Sequence, residues 1–141
     1  MHAPPSGHRL LPHTSDVIVE AWAPTRDACL REAVRGLVDV FADVNGVVSS
    51  ASVAVSLPPA SGEDLLVALL EEVLYLLDAD DVVPVDAALL GGADGGLQVT
   101  FLIVPTAAVE QQGAVPKAIT HHGLEFGPEP GLWRCRVTVD V

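Results

Sequence analysis

The chain has 141 residues, half of them hydrophobic, and its 19 acidic against seven basic side chains give a net charge of −12. That size and balance fit one globular domain with its own core and argue against a disordered tail. Six Arg and a single Lys are spread thinly with no basic run, which argues against unaided nucleic-acid binding, because phosphate contacts depend on clustered Lys and Arg.

The segment Met1 to Pro12 carries no apolar run of signal-peptide length, and residues 1–8 read as a flexible lead. After Asp16, Val17–Ala23 reads as a strand ended by Pro24. Thr25 is an N-cap candidate, and Ala28, Cys29, Ala33, Leu37, Val40 and Phe41 recur at helical spacing, so a helix is predicted over Asp27–Phe41. Val47–Leu57 is rich in Val and Ser and follows an Asn45-Gly46 turn, which predicts a strand closed by Pro58-Pro59. Ser61 opens an acidic variant of the capping box, S-x-x-D, ahead of a strongly apolar helix to about Leu77.

The remainder reads as β. Val82–Leu90 and Leu97–Val104 flank the Gly-rich segment Gly91–Gly96 as a hairpin, Ala118–Phe126 is a further strand, and Gly127–Gly131 is a turn. In the last strand Trp133, Cys135, Val137, Val139 and Val141 fall on one face, and Arg134, Arg136, Thr138 and Asp140 on the other. The fold class expected is α+β: a single domain over 1–141, a mostly antiparallel sheet with two helices packed on it. The most apolar stretch, Leu65–Leu77, is interrupted by Glu71 and Glu72 and is too short to span a bilayer. Cys29 and Cys135 have neither CxxC spacing nor framework density, so reduced thiols in a cytoplasmic protein are expected.

Four places could carry chemistry. His13-Thr14-Ser15-Asp16 puts polar groups at a strand mouth, as a turn or cap, or with Asp16 as a carboxylate ligand or acid–base group. In the second helix, Leu66, Leu69, Leu70, Val73 and Leu77 define a buried stripe; Glu71 projects away from it and Glu72 lies on its flank. Lys117 is the sole lysine, which invites a specific role for a compact ammonium, although one residue can also be chance. Its neighbours His121 and His122 alternate across a regular strand, which argues against their sharing one zinc ion. Finally, Asp140 and the α-carboxylate of Val141 stand one residue apart. They are a frayed, solvated end or an oxygen donor pair for a hard cation such as Ca²⁺ or Mg²⁺.

With these residues in view, the chain resembles the archease family over nearly its whole length. His13–Asp16 is similar to the family's H-T-A-D, and Leu65-Leu66 with Glu72-Val73-Leu74-Tyr75 to its L-L…E-x-L-Y helix. Lys117–Thr120 is similar to its K-A-[IV]-T, and Val139-Asp140-Val141 to its D-[IV] ending. The four motifs occur in the family's order. The chain departs from the pattern at Pro12, where an Asp is usual. Gln111-Gln112-Gly113 stand where a G-E and a K-H are common, and His121 replaces an aromatic.

The resemblance implies an accessory protein, not an enzyme: a metal-binding activator of an RtcB-type RNA-splicing ligase that promotes its guanylylation and multiple turnover in tRNA splicing or RNA repair. It implies Asp16, Asp140 and Val141 as metal ligands, with calcium the first candidate and magnesium or manganese alternatives. It further implies Glu72 and Lys117, with His122 beside them, as groups that act on the ligase. Two other readings compete. One is a small metal-dependent hydrolase with Asp16 and Asp140 as ligands and His122 as base; the other is a general chaperone-like adaptor. Against the hydrolase, the chain has no nucleophile–base–orienter set and no phosphate-cradling loop.

Overall fold

A computed structural model describes residues 5–12 and 15–141; His13 and Thr14 of the polar H-T-S-D segment lie outside the described residues. In chain order the elements are β1 (Gly7–Pro12), β2 (Asp16–Ala23), α1 (Arg26–Asp39), β3 (Ala42–Asp43), β4 (Ala51–Leu57) and α2 (Gly62–Asp80). There follow β5 (Val82–Gly91), β6 (Leu97–Pro105), a 3₁₀ turn (Thr106–Ala108), β7 (Glu110–Gln111), β8 (Ala118–Glu129) and β9 (Leu132–Asp140). They build a four-stranded sheet ordered β1-β2-β9-β8, a three-stranded sheet ordered β4-β6-β5 and a short β3-β7 pair. Every pairing is antiparallel. Helix α1 packs on β1, β2 and β9 of the larger sheet and on β5 of the smaller; α2 packs on β8, β5 and β4. The predicted α+β class is the observed one, with the single sheet of the prediction divided into two main sheets.

Both helices start where the sequence says they should. The Thr25 hydroxyl accepts from the Ala28 amide and the Ser61 hydroxyl from the Asp64 amide, each at 3.2 Å, satisfying a first-turn donor that has no helical partner. Helix α1 ends two residues before the predicted Phe41, because the Val40 and Phe41 amides bond three residues back, to Leu37 and Val38, and tighten the last turn. In α2 the stripe Leu66, Leu69, Leu70, Val73 and Leu77 is buried, joined by Leu65, Val67 and Leu76, while Glu71 is exposed and Glu72 half-buried. The full burial of Leu66, Leu69 and Leu70 is what anchors α2, since truncating such a leucine to Ala typically costs about 2–5 kcal/mol.

Four expectations are corrected. The predicted lead over residues 1–8 runs into β1, so Gly7 and His8 belong to the sheet. Gly-His-Arg-Leu-Leu-Pro shows no alternation; it is a strand because β2 templates it and because Arg9 Nε donates to Glu20 Oε1 at 2.6 Å. At Gly7 a Cβ would fall 2.7 Å from the Trp22 ring, so a larger residue there would have to displace that ring. Strand β4 begins at Ala51, not Val47: the residue that would continue the ladder opposite Ser49 is Pro105, which has no N–H to give. Strand β8 runs on to Glu129, with Pro128 opposite Trp133, leaving only Pro130-Gly131 as the connection, Gly131 at φ 80°. A proline is tolerated there because β8 is an edge strand. Finally, β8 is not regular: Thr120 pairs with Thr138 but Glu125 with Arg136, so β8 carries extra residues between those two pairs. The bulge holds His121, His122 and Gly123, the last at φ 67°.

The loop before Lys117 is tied to the end of α1. The Gln112 amide donates to the Phe41 carbonyl at 2.8 Å, and its side-chain Nε2 to the carbonyls of Asp39 at 3.0 Å and Ala42 at 3.3 Å. Of these acceptors, the Asp39 carbonyl is one that the end of α1 leaves open.

Candidate metal and partner site

Four of the predicted residues, Asp16, Lys117, Asp140 and Val141, meet at one end of the larger sheet. Asp16, the first residue of β2, stands directly opposite Asp140, the last of β9, and Asp140 in turn stands opposite Ala118, the first of β8. The Val141 amide donates to the Ser15 carbonyl at 3.3 Å, and the Lys117 amide to the Asp140 carbonyl at 2.7 Å. The end of β9 is therefore pinned from both sides and is not frayed. Because Val141 and Ser15 share the hydrogen bond, Asp16 and Asp140 form the non-hydrogen-bonded pair next to it. Opposed Cα atoms at such a pair are about 4.5 Å apart and their side chains lie side by side on one face.

That face is the one turned away from α1. Val17, Val19, Val137 and Val139 of the same strands face the helices, and Val19, Val137 and Val139 are fully buried. Along the outer face, moving away from the carboxylates, come Ile18 with Thr138, then Arg9, Glu20 and Arg136 in one row across three strands. Glu20 is buried and held between Arg9 at 2.6 Å and Arg136 at 3.6 Å, so these two cations are engaged well away from the strand ends. Asp16 is half-exposed and takes part in an interaction of its own; Asp140 is exposed, and Val141 half-exposed.

The bulge in β8 brings the histidine segment to the same face. The Thr138 hydroxyl donates to the His122 carbonyl at 3.1 Å, and Thr138 is two residues from Asp140 on the same side of β9. His121 and His122 are both exposed. The strict alternation that separated their side chains in the sequence argument does not hold within the bulge. Gly123 was the available sequence signal for that irregularity. Lys117 is exposed at the entry to β8; Glu72 lies on α2, which packs against β8. Among the described residues neither makes a side-chain hydrogen bond or ion pair, so neither charge is consumed in holding the fold.

The donors at the strand ends are carboxylate oxygens, which suit a hard cation and not a soft one. Among the described residues no group of three or more His, Cys, Asp and Glu side chains could hold a metal ion. A cation here would rest on the side chains of Asp16 and Asp140. That set fits Ca²⁺ or Mg²⁺ completed by water, and does not fit a closed structural zinc site. Among the described residues, no helix is long and apolar enough to cross a membrane.

Taken together, the architecture defines a class: a small α+β domain in which an acidic pair is displayed at the strand ends of a helix-backed antiparallel sheet. Residues 8–141 match the model of the Archease protein family (MTH1598/TM1083), and the chain belongs to that family. It is 47% identical over 136 residues, 96% of its length and 75% of the relative's, to the probable protein archease of Mycobacterium tuberculosis. It is 26% identical to the protein archease of Pyrobaculum neutrophilum over 97% of both chains. The fold matches the solution structure of Methanobacterium thermoautotrophicum protein 1598 with a TM-score of 0.76 at 22% identity, covering 96% of this chain and 99% of that one. It matches the crystal structure of a Thermotoga maritima archease, described as a possible chaperone, with a TM-score of 0.61 at 17% identity, covering 100% of this chain and 98% of that one.

Proposed function

We propose that this archease is a metal-binding accessory protein that activates an RtcB-type RNA-splicing ligase in tRNA splicing or RNA repair. The observation that carries the proposal is the register of Asp16 against Asp140, with Val141 hydrogen-bonded one residue beyond. Two carboxylates held side by side are an oxygen donor pair, and a cation between them would lower their mutual repulsion. Asp16, Asp140 and the α-carboxylate at Val141 would hold that cation, calcium in the first place, with magnesium or manganese as alternatives. When bound, it would supply a positive charge that attracts phosphate or carboxylate oxygens of a partner's site.

The chain's own groups then have distinct parts. Lys117 and Glu72 bring unspent charges of opposite sign to the partner, and the exposed bulge at His122 extends the contact surface. A net charge of −12 with no basic run is consistent with a protein that leaves the RNA to the ligase and meets the ligase itself. Both would act in the cytoplasm. The possible-chaperone description of the Thermotoga maritima relative favours a second reading, a general adaptor that binds partners without a metal-dependent step. The hydrolase reading has less support, because among the described residues no carboxylate orients the His122 ring.

The test is to mix the protein with the ligase of the same organism and follow RNA joining over many turnovers. Stimulation that disappears with Asp140→Asn is expected. Joining that is unchanged by the intact, metal-supplied protein would overturn the proposal, and stimulation insensitive to Asp140 would favour the adaptor.

A further inference from the structure

Strand β4 is an open edge of unusual character. It lies at the outside of the three-stranded sheet, paired only with β6 among the described residues, so every second residue turns its N–H and C=O outward. Natural sheets guard such edges with charges, prolines or bulges. The other long edges here are guarded in those ways: β1 by Arg9 and Pro12, β8 by its bulge and Pro128, and β5 by Pro84 and a register shift beside it. Strand β4 has none of these. Its register with β6 is unbroken from Ala51 to Leu57, and the nineteen residues from Val44 to Gly62 include no charged side chain in a chain that is 18% charged.

We propose that β4 is the seam of a homodimer, at which a second copy of this chain adds its own β4 antiparallel to the first and makes one six-stranded sheet across a two-fold axis. The occupant is argued from self-complementarity. A two-fold axis at Ala54 sets Ala54 against itself, Val53 against Val55 and Ser52 against Ser56, all short or β-branched side chains that pair well across strands. The charge pattern points the same way. Each copy carries −12, yet the row beside the seam on the exposed face of the sheet is Thr100 and Ala88 next to Ala54, Gln98 next to Ser56 and Leu102 next to Ser52, with Asp86 one strand further on and paired to Arg31. Two copies meeting here bring no carboxylates opposite one another on these strands. Exposed Val48, 84% accessible, precedes the strand in the same uncharged run and adds apolar surface beside it. The inference rests on no feature of the Asp16–Asp140 site, and its failure would leave that site untouched.

Sedimentation equilibrium of the full chain, wild type against Ala54→Lys and Leu90→Lys, tests it. Ala54 and Leu90 are both exposed on the same sheet face, but Leu90 belongs to the opposite edge strand. The expected result is a wild-type dimer, a folded, monomeric Ala54→Lys protein whose unfolding temperature does not depend on its concentration, and a dimeric Leu90→Lys protein. Raising the salt should strengthen the wild-type dimer, because it screens the −12 charges while leaving the neutral seam as it is. Should the lysine variant fail to fold, Ala54→Cys should crosslink to a dimer under mild oxidation, the two native cysteines being buried. A wild-type monomer at every concentration would overturn the proposal, as would a dimer split by Leu90→Lys and not by Ala54→Lys, since that would place the contact on the sheet face.

Discussion

Replacing His8 by Leu should separate the first strand from the first helix in energy without altering the strand-end site. The His8 ring lies between two carboxylates of α1, with Nδ1 2.9 Å from Glu32 Oε2 and Nε2 2.6 Å from Asp39 Oδ2. Both ring nitrogens can donate only when the ring is the imidazolium. The Glu32 arm is well covered, its side chain 9% exposed and the His8 side chain 19%, and a hydrogen bond to a charged group in that setting contributes about 1.5–3 kcal/mol. The Asp39 arm, 40% exposed, is screened and contributes under about 1 kcal/mol. Glu32 keeps Arg35 at 3.5 Å after the substitution, which limits the loss. The net expectation is about 2 kcal/mol, or roughly 4–10 °C in Tm for a chain of this size.

The pH dependence has a definite sign. The Asp39 hydrogen bond first, and the Glu32 bond with it, lift the His8 pKa above its ordinary 6.5 against the opposing effect of burial. A raised pKa in the folded state means that the contribution is complete below 6.5 and is lost as pH rises through the folded value. Urea unfolding across that window should show wild type losing stability with rising pH and His8→Leu losing less, so that the two curves converge. Parallel curves would refute the reasoning, because they would mean that the His8 proton is bound equally in folded and unfolded chains.

Further outcomes follow from the same structure. Gly113→Ala drives a Cβ into the Val40 carbonyl oxygen, a backbone atom that cannot swing away, so thermal unfolding should show a loss of about 1–3 kcal/mol. Glu72→Ala and Lys117→Ala should each leave the unfolding temperature unchanged and reduce ligase stimulation, whereas Glu71→Ala, on the exposed side of α2, should leave both unchanged; equal stimulation by all three would remove Glu72 and Lys117 from the partner surface. The purified protein should show no appreciable affinity for single-stranded RNA at physiological salt, and tight binding with a steep salt slope in a filter or anisotropy assay would contradict the charge argument.

Much of the fold was legible because its signals are local. Thr25 and Ser61 cap the helices they precede, the apolar stripe from Leu65 to Leu77 faces inward, and the alternation from Trp133 to Val139 separates the two faces of β9. What was not legible depends on distant partners. Strand β1 has no pattern of its own and exists through β2, Glu20 and α1; the β3–β7 pair is two residues long on each side and is set by Gln112 at the end of α1. The start of β4 is decided by Pro105, some fifty residues further along the chain. For the site, residue types and motif order singled out Asp16, Glu72, Lys117, Asp140 and Val141, but the juxtaposition of the strand-end residues among them is a matter of register. Only the pairing of β2 with β9 reveals that Asp16 and Asp140 are neighbours, and only the bulge in β8 brings the His122 segment to Thr138.

Whether the strand ends hold a cation needed for ligase activation can be read by changing the residue at Val141 covalently. Calorimetric Ca²⁺ binding and ligase stimulation are to be measured for untagged protein, for a C-terminally extended form and for an N-terminally tagged form. The extension removes the α-carboxylate from Val141 while the buried face through Val139 keeps the fold. Losing one charged oxygen ligand should weaken Ca²⁺ binding by at least about tenfold, roughly 1.4 kcal/mol, and lower stimulation with it, while the N-terminal tag leaves both unchanged. Equal Ca²⁺ affinity and equal stimulation in all three forms would contradict the account and remove Val141 from the site.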